Sequence, residues 1–149
     1  MHVLRAEKGF VIVGQDTDGS VTPVDLGMNW LLSKDKAYLG RRSLARPDCM
    51  RADRKQLVGL LSSDNSTVLP EGTQLVEAAD APVPVPMCGH VTSSYMSACL
   101  EHPIALALVE GGRTRMGETI FAALPEREPL PVTITAPVFY DPKGERQHV

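Results

Sequence analysis

From Gln56 onward, short apolar runs rich in Val, Ile and Leu alternate with glycine, proline and acidic turn signals. Runs of this kind read as strands. They predict strands over Gln56–Leu61, Thr73–Glu77, Met87–Tyr95, Ile104–Val109, Thr119–Ala123 and Val132–Phe139. Leu69-Pro70-Glu71-Gly72, Gly111-Gly112-Arg113 and Gly117-Glu118 supply turns, because glycine reaches positive φ without a Cβ clash. Ala81–Pro86 holds three prolines and is expected to run extended outside a ladder. Six short strands suit a small Greek-key-like barrel, since closure removes the edges that each strand would otherwise expose.

The first third of the chain has a different texture. Phe10–Gly14 is a valine- and isoleucine-rich run ahead of the turn residues Asp18-Gly19, which predicts a strand and a loop. Thr22, with Asp25 three residues on, resembles an N-terminal cap, and Leu26, Trp30 and Leu31 recur at helical spacing, so a short amphipathic helix is expected over Val24–Ser33. Lys34–Arg54 carries seven basic residues, Gly40 and Pro47, and reads as a connector with one helical turn near Arg42–Ala45. The fold class is therefore mainly β, with a small α+β piece at the N-terminus. The division falls at 1–54 and 55–149.

Composition narrows the partners. With 43% hydrophobic and 22% charged residues the chain sits near the globular average. No run approaches the roughly 20 apolar residues of a membrane span, and no signal-peptide pattern opens the chain, so a cytoplasmic protein with no membrane partner is expected. Cys49, Cys88 and Cys99 then read as reduced thiols. A net charge of -3, a pI near 5.8 and few aromatic residues disfavour nucleic acid.

Candidate chemistry is sparse. Ser93, His90 and an aspartate could be written as a triad, but no nucleophile-elbow pattern surrounds any serine. Cys88 and His90 lack the further ligands at regular spacing that a zinc site needs, and Gly9 and Gly14 do not form a phosphate fingerprint. No catalytic or metal-binding residue is assigned. Arg5, framed by apolar residues, is either a surface ion pair or a fork for a carboxylate such as the glutamate tail of a folate. Trp30, the only tryptophan, is either a core residue or a flat wall for an aromatic ligand.

The runs LRAEKGF (Leu4–Phe10), GQD (Gly14–Asp16), TPVDLGMNW (Thr22–Trp30) and KAYLGRRSL (Lys36–Leu44) resemble the second half of the folate-binding domain of the glycine-cleavage T-protein (aminomethyltransferase) family. QLVGLL, LPEGTQLV, GHVTSSY, IALALVEGGRTRMGE and PVFYDPKGER resemble its C-terminal barrel. Within this superfamily, VDLGMNWLLSKDKAYLGRRSLARPD and the ending are most similar to α subunits of heterotetrameric sarcosine oxidases. The resemblance implies a long parent chain that binds NAD upstream, carries a tetrahydrofolate domain, and is joined by β, γ and δ subunits with FAD and FMN in the assembly. It implies that sarcosine is oxidised at the flavin, and that tetrahydrofolate captures the imine as 5,10-methylenetetrahydrofolate, leaving glycine; without folate, formaldehyde forms.

By the same resemblance Arg5 and Trp30 lie near the folate, while the catalytic aspartate lies upstream of Leu4. The chain then reads as a fragment, inactive alone, whose Val3–Asp53 piece exposes apolar surface and could pair two copies. A plain aminomethyltransferase, a dimethylglycine dehydrogenase or a non-catalytic docking module are the alternatives. Where the family usually has Ser-Pro followed by Gly, this chain has Ser97-Ala98 and Glu101.

Overall fold

The computed structural model describes residues 1–125 and 127–147. Six strands, β1 (Lys55–Ser62), β2 (Gln74–Val76), β3 (Met87–Ser97), β4 (His102–Glu110), β5 (Thr119–Ala123) and β6 (Leu130–Thr135), close an antiparallel barrel in the order β1-β4-β3-β2-β5-β6. Each expected strand is present. The meander β2-β3-β4 returns to lie beside β1, which gives the Greek-key path.

Alternation along the strands sends one residue set inward and the other outward. Val58, Leu60, Leu75, Val91, Ala105, Ala107, Val109, Ile120, Val132 and Ile134 fill the barrel. Leu57, Ile104, Leu106 and Leu108 face outward on β1 and β4, where Ala6, Val11, Leu26 and Phe139 cover them. The barrel is thus a two-sided sheet, buried within by its own strands and on part of its outer face by the N-terminal segment.

β6 stops at Thr135, short of the expected Phe139. The chain leaves the barrel there because Phe139 folds back across β1. A Cβ on Gly59 would lie 2.7 Å from the Phe139 ring and 2.5 Å from the Ala136 oxygen, so only glycine leaves room. The Phe139 and Tyr140 amides then donate to the Glu7 carbonyl at 2.9 and 3.0 Å.

Two N-terminal expectations are corrected. Phe10–Gly14 forms no strand; Val13 makes only an isolated parallel bridge to Thr17. Gly14 has φ +94, and the amides of Gln15 and Asp16 return to the Ile12 carbonyl, so the run turns back before it can enter a ladder. The helix expected over Val24–Ser33 is one turn at Thr22–Met28 followed by a 3-10 turn, Asn29–Leu31. Thr22 and Asp25 do make reciprocal bonds, Thr22 Oγ1 to Asp25 at 2.8 Å and Asp25 N to Thr22 Oγ1 at 3.3 Å. Gly27 at φ +76 ends the turn, and the Asp25 carbonyl accepts from the Leu57 amide at 2.9 Å, drawing the chain onto β1. The remaining N-terminal helices are α1 (His2–Glu7) and α2 (Arg41–Leu44).

Candidate functional site

α1 lies against β3 and β4 and brings Arg5 over a bulge in β3. Between Val91 and Ser93 the register with β4 shifts, leaving Thr92 as the extra residue. The bulge turns Thr92 and Ser93 toward the same carboxylate. Asp16, fully buried, accepts from Thr92 Oγ1 at 2.5 Å, Ser93 Oγ at 2.6 Å and the Ile12 amide at 2.8 Å, and it pairs with the Arg5 guanidinium. Arg5 also donates to Ser93 Oγ at 2.7 Å, Tyr95 Oη at 3.2 Å and the Phe10 carbonyl at 3.2 Å. Its side chain is 10% exposed, and its Nε is buried without a partner. Burial would push the Asp16 carboxyl up, but the bonds from Ile12, Ser93 and Thr92 and the Arg5 charge outweigh it and hold the group below its ordinary value.

A second buried carboxylate lies on the same helix. Glu7 is 3% exposed and accepts from Ser97 Oγ at 2.6 Å, at the far end of β3. A third, Asp25, is clamped by Arg54 at 2.8 Å, with 3% and 14% of the two side chains exposed. Arg54 and Thr22 hold its carboxyl below the ordinary value against the opposing effect of burial.

Of the two residues singled out in the sequence, Arg5 pairs with the Asp16 carboxylate through one terminal nitrogen, and its other terminal nitrogen is taken by Ser93 and Tyr95. Trp30 takes no part in this network. It stands 79% exposed on the Asn29–Leu31 turn, outside the core of the described residues. Ser93 and His90 do not combine as a triad: the serine hydroxyl serves Asp16 and Arg5, while His90 lines a separate polar cleft with Asp18 and Lys55. Burial and the Lys55 charge push His90 down. Cys88 points into the barrel, its Sγ 3.3 Å from the Leu75 carbonyl. Among the described residues no group of three or more His, Cys, Asp and Glu side chains converges on a metal site. Asp16 is not assigned a role in the sequence, and Glu7, the neighbour that a surface ion pair of Arg5 would use, is instead buried against Ser97. GQD contains Asp16, but nothing in its spacing reveals partners on a strand 77 residues away.

Residues 55–141 match the family model of the glycine cleavage T-protein C-terminal barrel domain. The chain belongs to that family. The sarcosine oxidase subunit alpha of Corynebacterium sp. (strain U-96) is 49% identical over 150 residues, covering 99% of this chain and 15% of that protein. An aminomethyltransferase of Synechococcus sp. (strain RCC307) is 30% identical over 148 residues, covering 95% of this chain and 37% of the relative. The fold also matches the crystal structure of glycine cleavage system aminomethyltransferase T from Bartonella henselae, with a TM-score of 0.78 at 20% identity, over 94% of this chain and 38% of that one. This chain therefore spans about a seventh of the sarcosine oxidase relative's length and little more than a third of the aminomethyltransferase's. No helix of the described residues is long and apolar enough to cross a membrane.

Proposed function

We propose that this chain works as part of the α subunit of a cytoplasmic, multi-subunit sarcosine oxidase, in the section that handles tetrahydrofolate. The observation that carries this reading is the 49% identity to a sarcosine oxidase α subunit across 99% of the chain, against 30% to an aminomethyltransferase. In this reading residues 1–54 complete a folate-binding domain whose larger part lies elsewhere in the α subunit, and residues 55–149 are its barrel. FAD, FMN and NAD belong to other parts of the assembly, and this section by itself neither oxidises sarcosine nor makes methylenetetrahydrofolate.

The arrangement of side chains supports a supporting role for this section, and it distinguishes the two folate-site residues. Trp30 offers an open, flat face on a short 3-10 turn, which suits stacking of an aromatic ligand. Arg5 does not fit a two-pronged grip on a folate carboxylate, because Asp16 already holds it; only its Nε–H is left to give, and its main work is to seat the loop 10–17 against β3. Tetrahydrofolate, when bound, supplies the acceptor for the one-carbon unit. The residues of this chain bind and orient; no proton transfer is assigned to them.

The test is Trp30→Ala in the complete assembled enzyme. Tetrahydrofolate affinity should fall about tenfold, equivalent to about 1.4 kcal/mol, while flavin reduction by sarcosine is unchanged. Formaldehyde should then rise relative to methylenetetrahydrofolate at limiting folate. An unchanged folate dissociation constant removes Trp30 from the site, and a complete enzyme with no activity on sarcosine overturns the whole reading.

A further inference from the structure

The segment that reads as a bare connector has an unusual surface. Residues 34–46 carry Lys34, Lys36, Arg41, Arg42 and Arg46 against a single acid, Asp35, a net of +4 in a chain of net -3, so the remaining residues carry -7. All five cations are exposed. Among the described residues none of them forms a salt bridge or donates a side-chain hydrogen bond, whereas Arg51, Arg54 and Arg115 nearby in sequence or on the barrel are each taken by carboxylates. The strip is not loose chain: α2 carries two of the arginines, Gly40 at φ +91 sets its start, and the helix packs on the 3-10 turn Asp48–Met50. Leu39, within the strip, is fully exposed, and Leu31, three residues before Lys34 in sequence, is 57% exposed.

We propose that this strip is a docking surface for an acidic face of another subunit of the assembly, an inference that rests on the multi-subunit reading above. Unpaired, exposed cations on an otherwise acidic protein gain most from a negatively charged partner, which both steers its approach and fixes its register. An exposed leucine among arginines favours a protein as that partner, since arginine is enriched at protein interfaces and apolar side chains need a desolvated counterpart. A small anion would need a concave site, and the best-formed clefts are lined by other residues. A nucleic acid would meet the repulsion of the remaining -7 and few aromatic residues to stack on.

Two measurements on the full-length chain in its purified assembly test this. Zero-length carbodiimide coupling, which joins a lysine amine to a contacting carboxylate, should link Lys34 and Lys36 to acidic residues of a different subunit. In the second, the full-length variant Arg41→Glu, Arg42→Glu, Arg46→Glu should bind the remaining purified subunits about tenfold or more weakly, with an unchanged melting temperature, and should lose the salt sensitivity that the unaltered chain shows. Links confined to the same chain, or association as tight as before, overturn the proposal. A duplex oligonucleotide bound by the unaltered chain and released by the triple variant would make the strip a nucleic-acid surface instead. If other subunits co-purify but avoid residues 34–46, the oxidase reading stands and this inference falls; if the full-length chain has no companion subunit, both fall.

Discussion

Arg5 and Asp16 form an ion pair sealed between α1 and the β3 bulge, with 10% and none of the two side chains exposed. The pair is reinforced by Thr92 and Ser93, so four residues from three segments share one carboxylate. Removing one partner leaves the other charge buried and unmatched, which costs about 3–5 kcal/mol. Asp16→Asn and Arg5→Met should each lower stability by that order in denaturant unfolding, and the double variant should cost clearly less than their sum. Additive losses would show that the pair does not hold the loop to the barrel. This sets a condition on any ligand test at Arg5: affinity must be measured under conditions where the variant is folded.

How far the sequence reaches is visible in the same residues. The barrel is legible because its strands are short, apolar and bounded by turn residues, and each side chain's inward or outward placement follows from the period of two. What the N-terminal segment does is decided by distant contacts. Gly27 and the Asp25–Arg54 clamp cut the helix over Val24–Ser33 to a single turn, and Asp16 folds the run Phe10–Gly14 back on itself. Arg5 reads either as a surface ion pair or as a fork for a ligand carboxylate, and what forms is a buried pair between one of its terminal nitrogens and a carboxylate of this chain. That the carboxylate is internal, 11 residues on, depends on a bulge in a strand that begins more than 80 residues away. Trp30 has a helical spacing that suggests a buried face, but its helix does not form and the ring is left open.

The buried carboxylates make stability depend on acid. Asp16 and Asp25 have folded-state pKa values below those of the unfolded chain, so each contributes stability that is fully present above the unfolded value of about 3.9 and is lost as pH falls through the depressed folded value. The melting temperature should hold steady from about pH 7 to about pH 5 and decline below about pH 4. Asp16→Asn, less stable at neutral pH, should show a shallower acid decline. A variant curve parallel to the original would place the acid sensitivity in other groups.

Thiol reactivity should divide the cysteines. Cys88 is 4% exposed inside the barrel, and burial, together with the Glu77 charge, pushes its pKa up to about 11. The thiolate is the reacting form, so the shift and the closed barrel protect it together. Cys99 lies exposed on the β3-β4 hairpin. Brief alkylation near pH 8 followed by peptide mass spectrometry should find Cys99 modified and Cys88 intact until denaturant is added. Equal labelling of both in the native protein would mean that the barrel opens readily between β2 and β3.

The hairpin that carries Cys99 also holds a residue under strain. Ser97 and His102 are paired across it, and Glu101 sits at φ 52, in the left-handed region that favours glycine. A side chain in that conformation costs about 1–2 kcal/mol, because Cβ crowds the following carbonyl oxygen. The hairpin is kept in place by Ser97, whose Oγ accepts from the Leu100 amide at 3.1 Å and donates to buried Glu7 at 2.6 Å, tying the turn to α1. Glu101→Gly removes the crowding and in exchange loosens the unfolded chain, an opposing effect of about 0.5–1 kcal/mol. The expected net effect is a gain of up to about 1 kcal/mol, or roughly 2–4 °C in melting temperature for a chain of this length. Glu101→Val, β-branched at the same φ, should instead lose stability, since its two γ carbons meet the crowding directly. If glycine destabilises and valine is neutral, the turn is not strained at Glu101, and the side chain itself must contribute a contact that stabilises the hairpin.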